Sequence, residues 1–207
     1  NEVSGDLVRG GDLDEAVENR VADAALDIGL LGLDADEVAE EVRANAAAIE
    51  AWLQQGTLTE TDSWRSEQTL ISETFGIKGR ADAVRRGAPV ELKTGKNTER
   101  EPRFHDKMQA ACYALVLDEH DEGADTATLL YTKNATLDRG EASGDLSPAK
   151  EFSVGRGLKE FAVRTRNEIA AAEFSTAVPT GYEADAKCEY CFERDSCMVV
   201  AGRLGQE

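Results

Sequence analysis

The sequence predicts a mixed α/β fold, a central sheet flanked by helices, with helices leading at the N-terminus and a cysteine segment at the C-terminal end. Three observations predict it. Apolar residues recur at helical spacing between residues 12 and 53. Strand-like runs then fill most of 64–94. A helical stretch over 103–118 and a further short apolar run over 126–132 follow in that order.

Each element has a local reason. Leu13, Val17, Val21, Ala24, Ile28 and Leu31 form one apolar face on a helix over 12–31. Asp34 and Glu37 have the spacing of a capping box, and Val38, Val42, Ile49 and Leu53 carry the helix that follows. Residues 64–72 read as a strand, with Glu67 as an exposed residue on it. The runs IKGRADAV (77–84) and APVELKT (88–94) flank a turn-like Arg85-Arg86-Gly87 and predict a hairpin. On the 103–118 helix, Phe104, Met108, Ala111 and Leu115 form an apolar stripe. His105, Gln109 and Tyr113 form a second stripe beside it. Cys112, next to Met108, reads as a small core residue. TATLLYT (126–132) is the next strand, 134–148 an acidic loop, and 149–154 an edge strand. Leu158, Phe161, Ala162, Thr165 and Ile169 mark a last helix.

Composition narrows the setting. The 207 residues suffice for a single core, and no apolar run is long enough to span a membrane. One domain is expected, with a helical part at 1–60, a core at 64–175 and a cysteine segment at 179–200. No secretory signal is visible, so a cytoplasmic location is expected. No GxxxxGK[ST] loop occurs, which argues against ATP hydrolysis by this chain alone. The formal net charge is −18, from 41 acidic and 23 basic residues. So acidic a surface repels phosphates unless salt screens it, and it suits a halophilic setting. The charge is uneven. From Lys78 to Lys107 there are nine Lys/Arg against five Asp/Glu, a net of +4 that leaves −22 on the remainder.

That basic window brackets the candidate chemistry. With a four-residue loop at 85–88, Val84 opposes Pro89 and Asp82 lies opposite Glu91, and Glu91 and Lys93 share a face. Like charges directly opposed weaken a sheet. A hard divalent cation such as Mg²⁺ or Mn²⁺ turns that cost into a binding site. Lys93 can then orient a water or offset charge on a phosphate, the chemistry of metal-assisted phosphodiester hydrolysis. A surface hairpin with ordinary charges would show the same spacing, so the context has to decide.

Part of that context is Cys188-x2-Cys191-x5-Cys197, which holds three of the four cysteines. Such clustering suggests a metal or an iron–sulfur cluster rather than disulfides. Zinc and [4Fe-4S] sites both normally take four ligands, so one is missing from the group.

Together these pieces resemble the RecB-like branch of the PD-(D/E)xK nuclease superfamily. The matching residues are G-x-x-G-R-A-D at 76–82, E-L-K-T-G-K at 91–96, Q-x-x-x-Y at 109–113 and the cysteine motif at 188–197. Within that branch the chain is most similar to the iron–sulfur nucleases. These are the nuclease domain of the replication and repair helicase/nuclease, toward which L-K-T-G-K leans, and the CRISPR-associated adaptation nuclease. The resemblance implies a restriction-endonuclease-like core and a Mg²⁺- or Mn²⁺-dependent deoxyribonuclease acting on single-stranded DNA, flaps or ends. It implies that Asp82 and Glu91 bind the metal with the backbone carbonyl of Leu92, and that Lys93 positions the attacking water. It places Gln109, Tyr113, Arg80 and Lys96 against DNA, and Cys188, Cys191 and Cys197 on a structural [4Fe-4S] cluster. A helicase domain, in the same or another chain, is the expected partner.

Two departures from the pattern stand out. The relatives' first cluster cysteine has no counterpart, which suggests a fragment of a longer chain with that ligand upstream of Asn1. The relatives also often use an N-terminal histidine as a metal ligand, and no histidine precedes His105. Glu18 is the candidate substitute. A CRISPR adaptation nuclease trimming spacer precursors, a DNA-repair nuclease working with a separate helicase, and a non-catalytic DNA-binding domain with a cysteine metal site are the alternatives.

Overall fold

The computed structural model describes residues 2–55, 64–137, 144–175 and 186–203. Four helices come first: α1 (Glu2–Val8), α2 (Leu13–Asp23), α3 (Ala25–Leu30) and α4 (Ala35–Gln55). Then come β1 (Trp64–Ser72), β2 (Ile77–Arg85), β3 (Ala88–Lys93), α5 (Phe104–Glu119), β4 (Thr126–Tyr131), β5 (Ala149–Ser153), α6 (Arg156–Glu173) and α7 (Arg194–Arg203). The predicted mixed sheet flanked by helices is present. Its strands run in the order β1-β2-β3-β4-β5, all neighbours antiparallel except the parallel pair β3 and β4. A parallel pair needs a crossover, and α5 supplies it.

Helices cover both faces. Val3, Leu7, Val17, Ala46, Ile49 and Leu53 from α1, α2 and α4 form one core with Leu130 of β4. On α5, Tyr113, Val116 and Leu117 pack with Leu70 of β1 and with Ala81 and Val84 of β2. The helix expected over 12–31 breaks at Ala24, where ψ rises to 3° and two helices meet. Leu31, assigned to its apolar face, is 72% exposed. Asp34 caps α4 as its position predicts, accepting hydrogen bonds from the backbone N–H groups of Asp36 and Glu37. α1 was not foreseen, because a seven-residue helix is too short to show periodicity.

The hairpin register is Val84 with Pro89, as the sequence indicates, but the loop is tighter than four residues. Arg85 pairs with Ala88, leaving only Arg86 and Gly87 in the turn, at φ 49° and 79°. Two consecutive positive φ values define the mirror-image turn that matches strand twist. Gly87 is doubly required, since a Cβ there would lie 1.9 Å from the Glu122 carbonyl oxygen.

The chain forms two compact units, residues 1–163 and 164–207. The second holds the three clustered cysteines, with Cys188 in a short 3₁₀ turn (Ala186–Tyr190) and Cys197 on α7. Part of the segment predicted at 179–200 lies outside the described residues, as do residues 56–60 of the helical part and 138–143 of the acidic loop.

Gly87→Ala should cost about 2–4 kcal/mol, combining a positive-φ penalty with a backbone clash. Urea unfolding beside wild type checks this, and a loss under 0.5 kcal/mol would mean that the turn is not as tight as described.

Candidate active site

The site forms where β2 and β3 part. Their ladder runs from Arg85–Ala88 to Ala83–Val90. The next pair in that register is Asp82 and Glu91. There the Asp82 carboxylate replaces backbone pairing, its Oδ2 accepting the Leu92 N–H at 2.7 Å. Both acids are buried, Asp82 at 9% and Glu91 at 6% exposure. Burial, and after it the opposing carboxylate, pushes the Glu91 carboxyl up to about 7. Burial raises Asp82 as well, with Glu67 adding to the rise and the Leu92 N–H opposing it.

Glu67 is the residue that sequence reasoning took for an exposed strand residue. On β1 the register runs Ser66–Ala83 and Gln68–Ala81, so Glu67 falls opposite Asp82. Its φ is +52°, a left-handed conformation that costs a non-glycine residue energy. Side-chain alternation breaks at this row on both strands. Ala81 and Val84 share one core cluster although they are three positions apart. Trp64 and Leu70, six apart, belong to different clusters. Three adjacent strands thus place Glu67, Asp82 and Glu91 in one row. Glu67 Oε2 pairs with Arg80 Nε at 2.9 Å. Glu67 Oε1 and Glu91 Oε2 are buried without a hydrogen-bond partner. Orphaned carboxylate oxygens are hard donors of the kind that suits a divalent cation. Among the described residues, no three His, Cys, Asp or Glu side chains stand together as a group that could hold a metal ion. Further ligands would have to be main-chain groups, of which Leu92 is the nearest by sequence, or water. Glu18, proposed as an extra ligand, is an exposed residue of α2.

Helix α5 supplies the remaining polar groups. Lys93 Nζ donates to Gln109 Oε1 at 2.7 Å and lies 3.3 Å from Glu91 Oε1. Gln109 Nε2 donates to Glu91 Oε1 and to the Tyr113 hydroxyl. Tyr113 donates in turn to the Arg80 carbonyl at 3.0 Å. Every polar atom of Gln109 is committed, and turning the amide over would aim its oxygen at a carboxylate, so its orientation is set. Gln109 and Tyr113, expected against a DNA strand, turn inward, where Gln109 holds Glu91 and Lys93 and Tyr113 holds Gln109. Tyr113 is buried, and its ring allows only glycine at 79, where a Cβ would lie 2.7 Å from Cε1. The buried face of α5 is wider than the expected stripe. Ala111 and Leu115 are buried as expected and Phe104 is 58% exposed, while Ala110, Ala114 and Leu117 are buried as well. Cys112 is half-buried rather than core.

Arg80 and Lys96 are exposed, as a DNA-contacting role requires. The loop after β3 is anchored rather than loose. The side chain of buried Asn134 both accepts from the Asn97 N–H and donates to the Asn97 carbonyl. Of the clustered cysteines, Cys188 is half-buried and Cys191 and Cys197 are exposed, and none is in a disulfide.

A model of the PD-(D/E)XK nuclease superfamily matches residues 4–198, nearly the whole chain, and spans all four motifs. A search of curated proteins found no match.

The raised Glu91 carboxyl gives a pH-dependent expectation. A raised acid favours folding while protonated, and this contribution is lost as pH climbs from about 4.5 to about 7. Without divalent metal, Glu91→Gln should therefore be more stable than wild type by about 1–3 kcal/mol at pH 8, with the gap closing near pH 4.5. Urea unfolding in a chelator at both pH values reads this out, and a gap independent of pH would refute it.

Proposed function

The chain belongs to the PD-(D/E)XK nuclease superfamily, and from that premise we propose that it is a metal-dependent deoxyribonuclease. The observation that carries this reading is the pair of buried, opposed carboxylates with Lys93 beside them. Asp82 and Glu91 would hold Mg²⁺ or Mn²⁺, with Glu67 next to them and the Leu92 main chain within the site. A bound divalent cation supplies Lewis acidity toward a phosphodiester. The chain's own residues do the rest. Gln109 keeps Glu91 and Lys93 in register. The Lys93 ammonium orients a water and offsets charge that builds on the phosphate. Arg80 and Lys96, in the basic window of an otherwise acidic chain, meet the nucleic-acid backbone.

The wording of E-L-K-T-G-K supports single-stranded DNA, flaps or ends as substrate, in replication or repair beside a helicase. Three cysteines in ten residues support a structural [4Fe-4S] cluster in the second unit. The net charge of −18 supports work at high salt.

Asp82→Ala and Lys93→Ala should each lower cleavage of end-labelled DNA by at least about a hundredfold while leaving the fold intact. Assays with Mg²⁺ or Mn²⁺ at low and high salt, on single- and double-stranded substrates, decide this. Full activity in either variant would sink the assignment. Anaerobic absorption spectroscopy with metal analysis tests the cluster. Iron with a broad visible band supports it, and stoichiometric zinc replaces it with a zinc site.

A further inference from the structure

Asp106 was not singled out by any motif, yet it is one of the most buried charged residues in the protein, at 4% exposure. It stands in the first turn of α5, where a helix favours negative charge. Its two oxygens have separate tasks. Oδ2 accepts the hydroxyl of fully buried Tyr131 at 2.7 Å. Oδ1 lies 3.5 Å from Lys93 Nζ and 3.3 Å from His105 Nε2. Tyr131 is itself fixed. It lies beside Lys93 in the β3–β4 register, and its oxygen accepts the Arg103 N–H at 3.3 Å. Among the described residues, the Lys93 ammonium thus has Gln109, Glu91 and Asp106 as its polar partners.

We propose that Asp106, held by Tyr131, is the positioning residue for Lys93. This rests on the nuclease reading above. Glu91 belongs to the acids that would engage a cation, and a cation would both take up its charge and repel the ammonium. Asp106 is then the carboxylate left facing Lys93. It holds the ammonium in place when the other acids are occupied. Tyr131 donates to one oxygen and so orients the other toward Lys93. The exposed His105 sits on the outer side of the same oxygen, its side chain 75% accessible.

Asp106→Asn tests this with little change in shape, because its amide oxygen can still accept from Tyr131. Two readouts separate positioning from mere structure. In metal-free protein carrying Glu91→Gln, so that the competing carboxylate is neutral, NMR of the Lys93 ammonium gives the exchange rate of its protons with water. That rate should rise at least about fivefold when Asp106→Asn or Tyr131→Phe is added, with thermal midpoints close to that of Glu91→Gln alone. On labelled single-stranded DNA, kcat should fall about 10- to 100-fold with KM little changed, and Asp106→Glu should recover part of the loss. Unchanged exchange in Asp106→Asn overturns the proposal, as does a kcat within twofold of an active wild type. A wild type that cuts no DNA defeats the nuclease reading instead, and the exchange measurement still decides the role of Asp106.

Discussion

The site depends on one unfavourable contact: two buried carboxylates facing each other across β2 and β3. In a plain sheet that pair would be selected against, since like charges opposed across strands destabilise it. Here the strands part at that row, and Asp82 turns its oxygen to the Leu92 N–H that the departing strand leaves. The geometry keeps both acids in a low-dielectric place, with the Lys93 ammonium beside Glu91. The consequence is the raised Glu91 carboxyl and an oxygen with no partner. Such a site gives up some stability of the metal-free protein for readiness to take a cation.

The parting has a counterpart on β1. Glu67 takes a left-handed conformation within an otherwise regular ladder, and side-chain alternation changes phase there on both β1 and β2. That change of phase lets Ala81 and Val84 both reach the core under α5 while Asp82 between them faces Glu91. Strain of this kind tends to persist where surrounding structure over-determines it. The Arg80–Glu67 pair and the packing of Tyr113 on Gly79 surround the row.

Helix α5 then joins the site to the fold. The same helix that closes the parallel β3–β4 connection buries Tyr113, Val116 and Leu117 on the sheet and presents Asp106 and Gln109 to Lys93. Hydrophobic burial on the sheet therefore fixes where the polar groups lie. Rigid secondary structure, rather than a loop, carries every side chain that touches the lysine.

Much of the architecture was legible in the chain. Period and turn composition placed β1, the β2–β3 hairpin, α5, β4 and β5 within a residue or two, because local preference and tertiary packing agree there. The register of Val84 with Pro89 followed from the turn, and it put Asp82 opposite Glu91. Local pattern could not show where a helix breaks, as at Ala24, nor how wide a face α5 buries, because both depend on the surfaces a helix meets. The row at Glu67 was hidden for the same reason. A left-handed glutamate has no signature in sequence, and only pairing with β2 brings it to Asp82. Asp106 and Tyr131 lie 25 residues apart in the chain. Sequence determined the residue types and their spacing. The tertiary structure decided which buried acids share a site with Lys93, because only the packing of α5 on the sheet carries them there.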